Sequence, residues 1–240
     1  MLHKTRGIVL KTTAYAESSV VVHVFTEKFG IQSYLINGVK KPKAKIRLNI
    51  LQPLHLLDMV VYHKDGTGLQ RVSEARQLPL FQRIPYDIIK SSLVIFLNEV
   101  VYKSVKQQGP DIAMFEFLYN AVIWLDSSVD TPVNFHIYFL LKFTRYLGFY
   151  PALPKSVDKF FDLKDGVFTP HVPSHAFVLH EPHTTQWARI LACSLTDLPT
   201  VKISNNDRRV LIRKVIDFYR LHIDNIGEIK SNEILEEVLN

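Results

Sequence analysis

The apolar residues of this chain change their period once, near Pro79, and that switch divides the sequence into two architectures. Before it, short runs rich in β-branched and aromatic residues alternate with turn chemistry. Gly7–Thr13, Ser19–Thr26, Ile31–Val39, Leu54–His63 and Leu69–Ala75 read as five strands, with Glu27-Lys-Phe-Gly30 and Asp65-Gly-Thr-Gly68 as turns between them. Five short strands in so small a module suit a closed barrel, because closure removes exposed edges. The OB-fold is the commonest such barrel that holds oligonucleotides, and an SH3-like barrel fits the spacing as the alternative. The expectation is an α+β chain: a five-stranded OB-fold barrel over residues 1–80, then an all-helical domain over residues 81–240.

Beyond Pro79 the spacing is helical. Pro85 suits a first helical turn, and Tyr86–Gln108 runs without Gly or Pro, with Ile89, Leu93, Phe96, Leu97, Val100 and Val101 at helical intervals. Gly109-Pro110 ends that segment, and Asp111 opens a second helix to about Leu125. Thr131-Pro132 reads as the start of a third, which stops at Gly148 after Leu147. Residues 149–183 hold five of the twelve prolines and keep no period, so they read as an irregular insertion. Thr184–Leu195, Asn205–His222 and Ser231–Leu239 read as three further helices.

The charge follows the same division. Residues 1–80 carry 12 Lys/Arg against 5 Asp/Glu, whereas residues 81–240 carry 17 against 18. The whole excess of the chain's net +6 therefore lies in the barrel, which points to a polyanion site there. Its densest part is Lys40-Lys-Pro-Lys-Ala-Lys-Ile-Arg47, five cations in eight residues with no acid, in a loop marked by Gly38 and Pro42. Such a comb suits the phosphates of a nucleic-acid strand, and binding through it should weaken steeply with salt. Tyr34 and Phe29, near the loop in sequence, read first as barrel core or rim, with stacking on bases as the alternative.

Other constellations carry less. His171, His175, His180 and His183 lie within thirteen residues, near Asp162, Asp165 and Glu181, but their spacing matches no ligand pair on a helix or strand. They read as polar loop residues, and no metal site is expected. Cys193 sits in an apolar helical stretch as a small hydrophobe. Arg209, Arg213 and Arg220 fall near one face of the Asn205–His222 helix, either as a solvated face or as a second contact for nucleic acid or an acidic peptide. There is no phosphate-binding loop, G-x-S-x-G, H-E-x-x-H or dinucleotide fingerprint, and no carboxylate pair beside the basic loop, so no enzyme is expected. One cysteine cannot form an internal disulfide, and Lys4, Arg6 and Lys11 interrupt the first fifteen residues where a leader would be apolar. A cytoplasmic protein is expected, with no membrane association, since the longest uncharged segment, Gly166–His180, holds two prolines and three histidines.

Several short segments, taken in order, resemble the RecO family of recombination mediators. Gly7-Ile-Val-Leu-Lys-Thr-Thr-Ala-Tyr-Ala-Glu-Ser18 is similar to that family's first strand and turn, and Phe25-Thr-Glu-Lys-Phe-Gly30 to its next landmark. Asn37-Gly-Val-Lys-Lys41 and Leu51-Gln-Pro-Leu54 continue in family order. Phe218-Tyr-Arg-Leu-His222, Ile229-Lys-Ser231 and Leu235 look like its C-terminal signature, so the resemblance spans nearly the whole chain. It implies an N-terminal OB-fold, a helical C-terminal domain, and a nucleoid-associated DNA-repair function without nucleotide hydrolysis. Family members bind single- and double-stranded DNA and anneal complementary strands. They work with RecR, contact the acidic C-terminal tail of single-strand-binding protein, and so help RecA onto DNA. Carried onto this sequence, the DNA face comprises Lys40, Lys41, Lys43, Lys45 and Arg47, with Lys11 and Arg6 as further candidates. Lys142 and Arg145 on the third helix are the candidates for partner binding. Many members hold zinc through four cysteines where this chain has Phe149–His183, which contains none. No cofactor is therefore expected, and Phe160, Phe161, Val167, Phe168 and Phe177 are expected to hold that stretch by packing.

Overall fold

The N-terminal strand β1 (Leu2–Ala14) is long enough to serve two neighbours. Its first half pairs with β4 (Leu56–Tyr62), and its second half with β2 (Val20–Thr26). A bulge between Val9 and Lys11 gives the strand the bend that this double role requires. In this computed structural model, which describes residues 1–106, 109–129 and 133–239, β3 (Gly30–Ile36) and β5 (Gln70–Gln77) complete a closed barrel of order β1-β2-β3-β5-β4. All neighbours are antiparallel except β3 and β5, whose parallel pairing at Tyr34–Gln70 and Leu35–Arg71 closes the ring. This is the expected OB-type barrel. Its interior is filled by Val9, Val22, Val24, Tyr34, Leu57, Met59 and Val61, alternate residues from the strands. At Gly7 the wall is so tight that a Cβ would lie 2.6 Å from a Val24 methyl and 2.8 Å from the Met59 sulfur.

Two compact units divide the chain, Met1–Ser127 and Ser128–Asn240. The first includes, besides the barrel, α1 (Ile88–Ser104) and α2 (Ile112–Ser127). Pro85 lies in a short 3-10 turn, Ile84–Tyr86, and α1 starts one step later, where the Asp87 carboxylate accepts from the N–H groups of Ile89 and Lys90. The helix expected to run to Gln108 ends at Ser104, where Val105 turns extended as its C-cap; residues 107 and 108 lie outside the described residues. The Asn98 amide on α1 donates to the Leu10 carbonyl at the β1 bulge, 2.9 Å away, supplying a partner to a strand group that the ladder leaves over. The Asp126 carboxylate at the end of α2 accepts from the backbone N–H groups of Gln82, Arg83 and Ile84.

The second unit contains α3 (Phe135–Leu147), α4 (His183–Ala192), α5 (Asn205–His222) and α6 (Ser231–Val238). The expected start of α3 at Thr131-Pro132 lies outside the described residues; its end is as expected, with Gly148 in the left-handed conformation at φ 89°. The stretch 149–183 is less irregular than its prolines suggest. It carries a three-stranded sheet of β6 (Phe160–Asp162), β7 (Val167–Thr169) and β8 (Val178–Leu179), in the order β7-β6-β8. Phe161 enters the core of this unit against Phe168, Trp187 and Phe218, with ring centroids 4.8, 5.1 and 5.6 Å away. Val167 and Phe177, expected to pack there, are exposed instead. Strands of two or three residues alternate too briefly for the buried face to be read from sequence.

Replacing Gly7 with Ala should lower the unfolding free energy by about 1–3 kcal/mol, the usual range for overpacking a tight core. Denaturant titration of the variant against the parent measures it.

Candidate nucleic-acid interface

Between β3 and β4 the chain leaves the barrel for a loop fixed at both ends by apolar side chains. Val39 and Ile46 are buried in the barrel core, and Leu51 is buried at the end of a 3-10 turn, Leu48–Leu51. Gly38, at φ 70°, turns the backbone, and the amides of Lys41 and Ala44 donate to the carbonyls of Gly38 and Lys41. With the apolar residues turned inward, Lys40, Lys41, Lys43, Lys45 and Arg47 are all exposed. Among the described residues, none of the five takes part in an ion pair. The loop is held at one end of the barrel: the Thr12 hydroxyl donates to the Leu51 carbonyl at 2.7 Å, and Ser19 Oγ to Asn37 Oδ1 at 3.0 Å. Five positive charges therefore share one rim.

The other candidates in the barrel separate. Lys11, on the outer face of β1, is exposed and lies 5.1 Å from the centre of the Tyr102 ring, leaving its ammonium free for an anion. Arg6 is already engaged. It forms a two-point pair with Glu27, donates to Glu116, and lies over the rings of Phe115 and Tyr119. These carboxylates push the guanidinium further up from its usual value, and Arg6 holds the Glu27 carboxyl below the usual carboxylate range. With its charge compensated twice, Arg6 leaves the candidate DNA face and becomes a tie between β1, the β2–β3 turn and α2.

Both aromatic residues belong to the barrel, as core or rim, rather than to the basic loop. Tyr34 is fully buried in the barrel core and out of reach of a base. Phe29 lies in the β2–β3 turn, at the opposite end of seven-residue β3 from the basic loop, so the two are roughly 20 Å apart along the strand. There it stacks on His63, with centroids 3.9 Å apart and planes 15° from parallel, and with the edge of His3 at 5.4 Å. These rings border a cleft of about 750 Å3 on the outer face of β2 and β3, closed on one side by the loop from His63 to Gln70. The sequence reading takes Asp65-Gly-Thr-Gly68 for a turn and passes over this cleft. Its only linear sign is the outward alternation that sets His23 opposite Ser33.

In the second unit, Lys142 Nζ donates to the Leu191 carbonyl at 2.7 Å and lies 5.4 Å from the centre of the Tyr138 ring. Arg145 is exposed, with its guanidinium over Tyr150 at 4.5 Å. The α5 arginines are largely compensated, Arg213 by Glu236 and Arg220 by Asp217. Arg208 is buried and donates to Asn134 and Asn205. His175 pairs with Asp162 and His183 with Asp207, on different elements. No group of three or more metal-ligating side chains converges among the described residues. Burial pushes the Cys193 thiol up from its usual value, away from the reactive thiolate.

Comparison with known proteins gives this barrel and helical region relatives. The model for the N-terminal part of recombination protein O matches residues 1–81, and that for its C-terminal part matches residues 85–233. The chain belongs to the RecO family. It is similar to the DNA repair protein RecO of Flavobacterium johnsoniae, at 34% identity, and to that of Flavobacterium psychrophilum, at 32%, with 99% of each chain covered. The RecO of Bacteroides fragilis is 28% identical with full coverage of both chains. As a RecO protein, the chain is a DNA-repair protein with an OB-type barrel. No helix among its described residues is long and apolar enough to cross a membrane.

Arg6→Ala should cost about 1–2 kcal/mol of stability, a modest figure because the group is partly solvated. The depressed Glu27 carboxyl contributes stability that is full above its unfolded value near 4.5 and is lost as pH falls through its lower folded value. Unfolding free energies measured from pH 7 down to pH 3 should therefore fall less steeply in Arg6→Ala than in the parent.

Proposed function

We propose that this protein is a non-catalytic recombination mediator that binds single- and double-stranded DNA through the rim loop of its barrel. The observation that carries this reading is the anchored loop, in which Lys40, Lys41, Lys43, Lys45 and Arg47 are exposed and, among the described residues, form no ion pair, while Val39 and Ile46 fix the backbone beneath them. A phosphodiester backbone supplies the missing negative charge and releases its counterions on binding. Phosphates carry no sequence information, so the loop accepts any sequence and either strandedness. A protein that neutralises the phosphates of two strands also reduces their mutual repulsion, which favours annealing without an energy source.

In this reading residues 1–80 form the DNA-binding module and residues 81–240 the partner module, acting in the cytoplasm at the nucleoid. The partners are RecR and the acidic C-terminal tail of single-strand-binding protein, with RecA benefiting as that protein is displaced. Lys142 and Arg145, cations on one helix, suit an acidic tail. No zinc or other cofactor is required, because aromatic packing around Phe161 supports the 149–183 stretch.

Binding of a fluorescent oligonucleotide across a salt series tests the proposal. If five phosphates are engaged, log K against log salt should have a slope of roughly −3.5, and replacing Lys40, Lys41, Lys43 and Lys45 together with Ala should reduce it to about −0.7 while the protein stays folded. The same variant should lose ATP-independent annealing of complementary oligonucleotides. An unchanged slope would remove these lysines from the interface.

A further inference from the structure

We infer that α5 carries a docking surface for an acidic amphipathic helix of a partner protein, and that α6 occupies this surface as a displaceable cover. The surface uses neither the rim-loop cations nor Lys142 and Arg145, so it goes beyond the contacts proposed above. Its chemistry is read from its present occupant. α6 carries Glu233, Glu236 and Glu237 and no cation. Leu235 is buried against α5, whereas its neighbour Ile234 is exposed.

α5 meets this helix with an apolar side chain, Ile212, and with arginines on either side of it in sequence. Arg213 grips the Glu236 carboxylate at two points, Nη2 donating to Oε2 at 2.9 Å and Nε to Oε1 at 3.3 Å. Burial alone would push the Glu236 carboxyl up, but Arg213, Asn232 and Arg209 together hold it below its usual value. A two-point arginine pair fixes the orientation of a carboxylate as well as its position. An apolar anchor beside such a pair is how a groove selects an amphipathic helix of given charge. The complement of this surface is therefore a helix with an apolar side chain followed directly by a carboxylate.

The cover is loosely fitted. At eight residues α6 is too short to hold its own conformation, and Lys230 at its start supplies no side-chain cap. It buries only Ser231 and Leu235, whereas α5 buries seven of its eighteen residues. A cavity of about 20 Å3, the room of about one water molecule, remains in the seam between Arg208 and Ile212 of α5 and Asn232, Leu235 and Glu236 of α6. Asn232 donates to Glu236 at 2.9 Å, but its Oδ1 is buried with no hydrogen-bond partner among the described residues. The chain just before α6 is pinned by buried Ile226 and Ile229, so α6 lifts by pivoting at Lys230 and leaves the rest of its unit in place. Tethered so closely, α6 competes at an effective concentration on the order of millimolar. A partner helix takes the site by burying more apolar area while keeping the carboxylate for Arg213.

A labelled peptide with the sequence of residues 230–239 is the probe, titrated with full-length protein by fluorescence anisotropy. Leu235→Asp in the protein expels the cover and should raise affinity for the peptide at least about tenfold over the parent, because the tethered competitor is gone. Glu236→Ala in the protein, a milder change that leaves Leu235 seated, should give a smaller rise. Adding Arg213→Glu to Leu235→Asp should abolish the rise for this peptide and restore it for a peptide carrying Glu236→Lys. No rise in either Leu235→Asp or Glu236→Ala, with circular dichroism unchanged, would overturn the proposal. A rise that survives Arg213→Glu would place the peptide elsewhere and overturn it too. A parent that runs as a dimer in light scattering and becomes a monomer in Leu235→Asp would give the surface to a second copy instead of a partner protein, which also contradicts the proposal.

Discussion

Two buried side chains hold a run of cations in one place. Val39 and Ile46, set seven residues apart, enter the barrel core and fix the loop between them. Each stabilises the loop by about 1.5–3 kcal/mol through burial. Exposed cations about 8 Å apart repel one another by only about 0.5 kcal/mol in water, less with salt. The anchor therefore outweighs the repulsion, and Lys40, Lys41, Lys43, Lys45 and Arg47 remain together on the rim, with no ion pair to an acid among the described residues. A free loop of the same composition would spread its charge over many conformations and would have to be ordered by each strand it bound.

The barrel makes that anchor possible. Its closure through the β3–β5 pairing brings β5 beside the end of β3, so the chain between β3 and β4 emerges at a rim rather than along an open edge. The bulge in β1 lets one strand close the ring on both sides, and Asn98 on α1 satisfies the carbonyl exposed there. Arg6 belongs to this scaffold: it spends its charge on Glu27 and Glu116, holding α2 to the barrel wall. Two cations of the same strand thus have opposite uses, Arg6 paired for structure and Lys11 exposed toward the outer face.

Much of this is legible in the sequence because it depends on local chemistry. The β-branched runs before Pro79 and the helical spacing after it determine the element types, and the cluster from Lys40 to Arg47 is dense enough to stand out against any background. What is not legible depends on pairing between distant residues. Arg6 looks like another free cation until the register of β1 and the approach of α2 bring Glu27 and Glu116 to it. Strand alternation makes Tyr34 core, as its place in the sequence suggests, but Phe29 looks close to the basic loop until β3 is laid out between them. The small sheet within 149–183 escapes notice because its strands are two or three residues long, and the cleft because its walls come from segments some thirty or more residues apart, such as Ser33 and His63.

Lysine-reactivity footprinting tests the central claim most directly. The free protein and its complex with single-stranded DNA are treated with an amine-specific reagent and compared residue by residue by mass spectrometry. Strong protection of Lys40, Lys41, Lys43 and Lys45, with Lys155, Lys164 and Lys202 unaffected, is the result expected of a polynucleotide seated on the barrel rim. Loop lysines as reactive in the complex as in the free protein would contradict it.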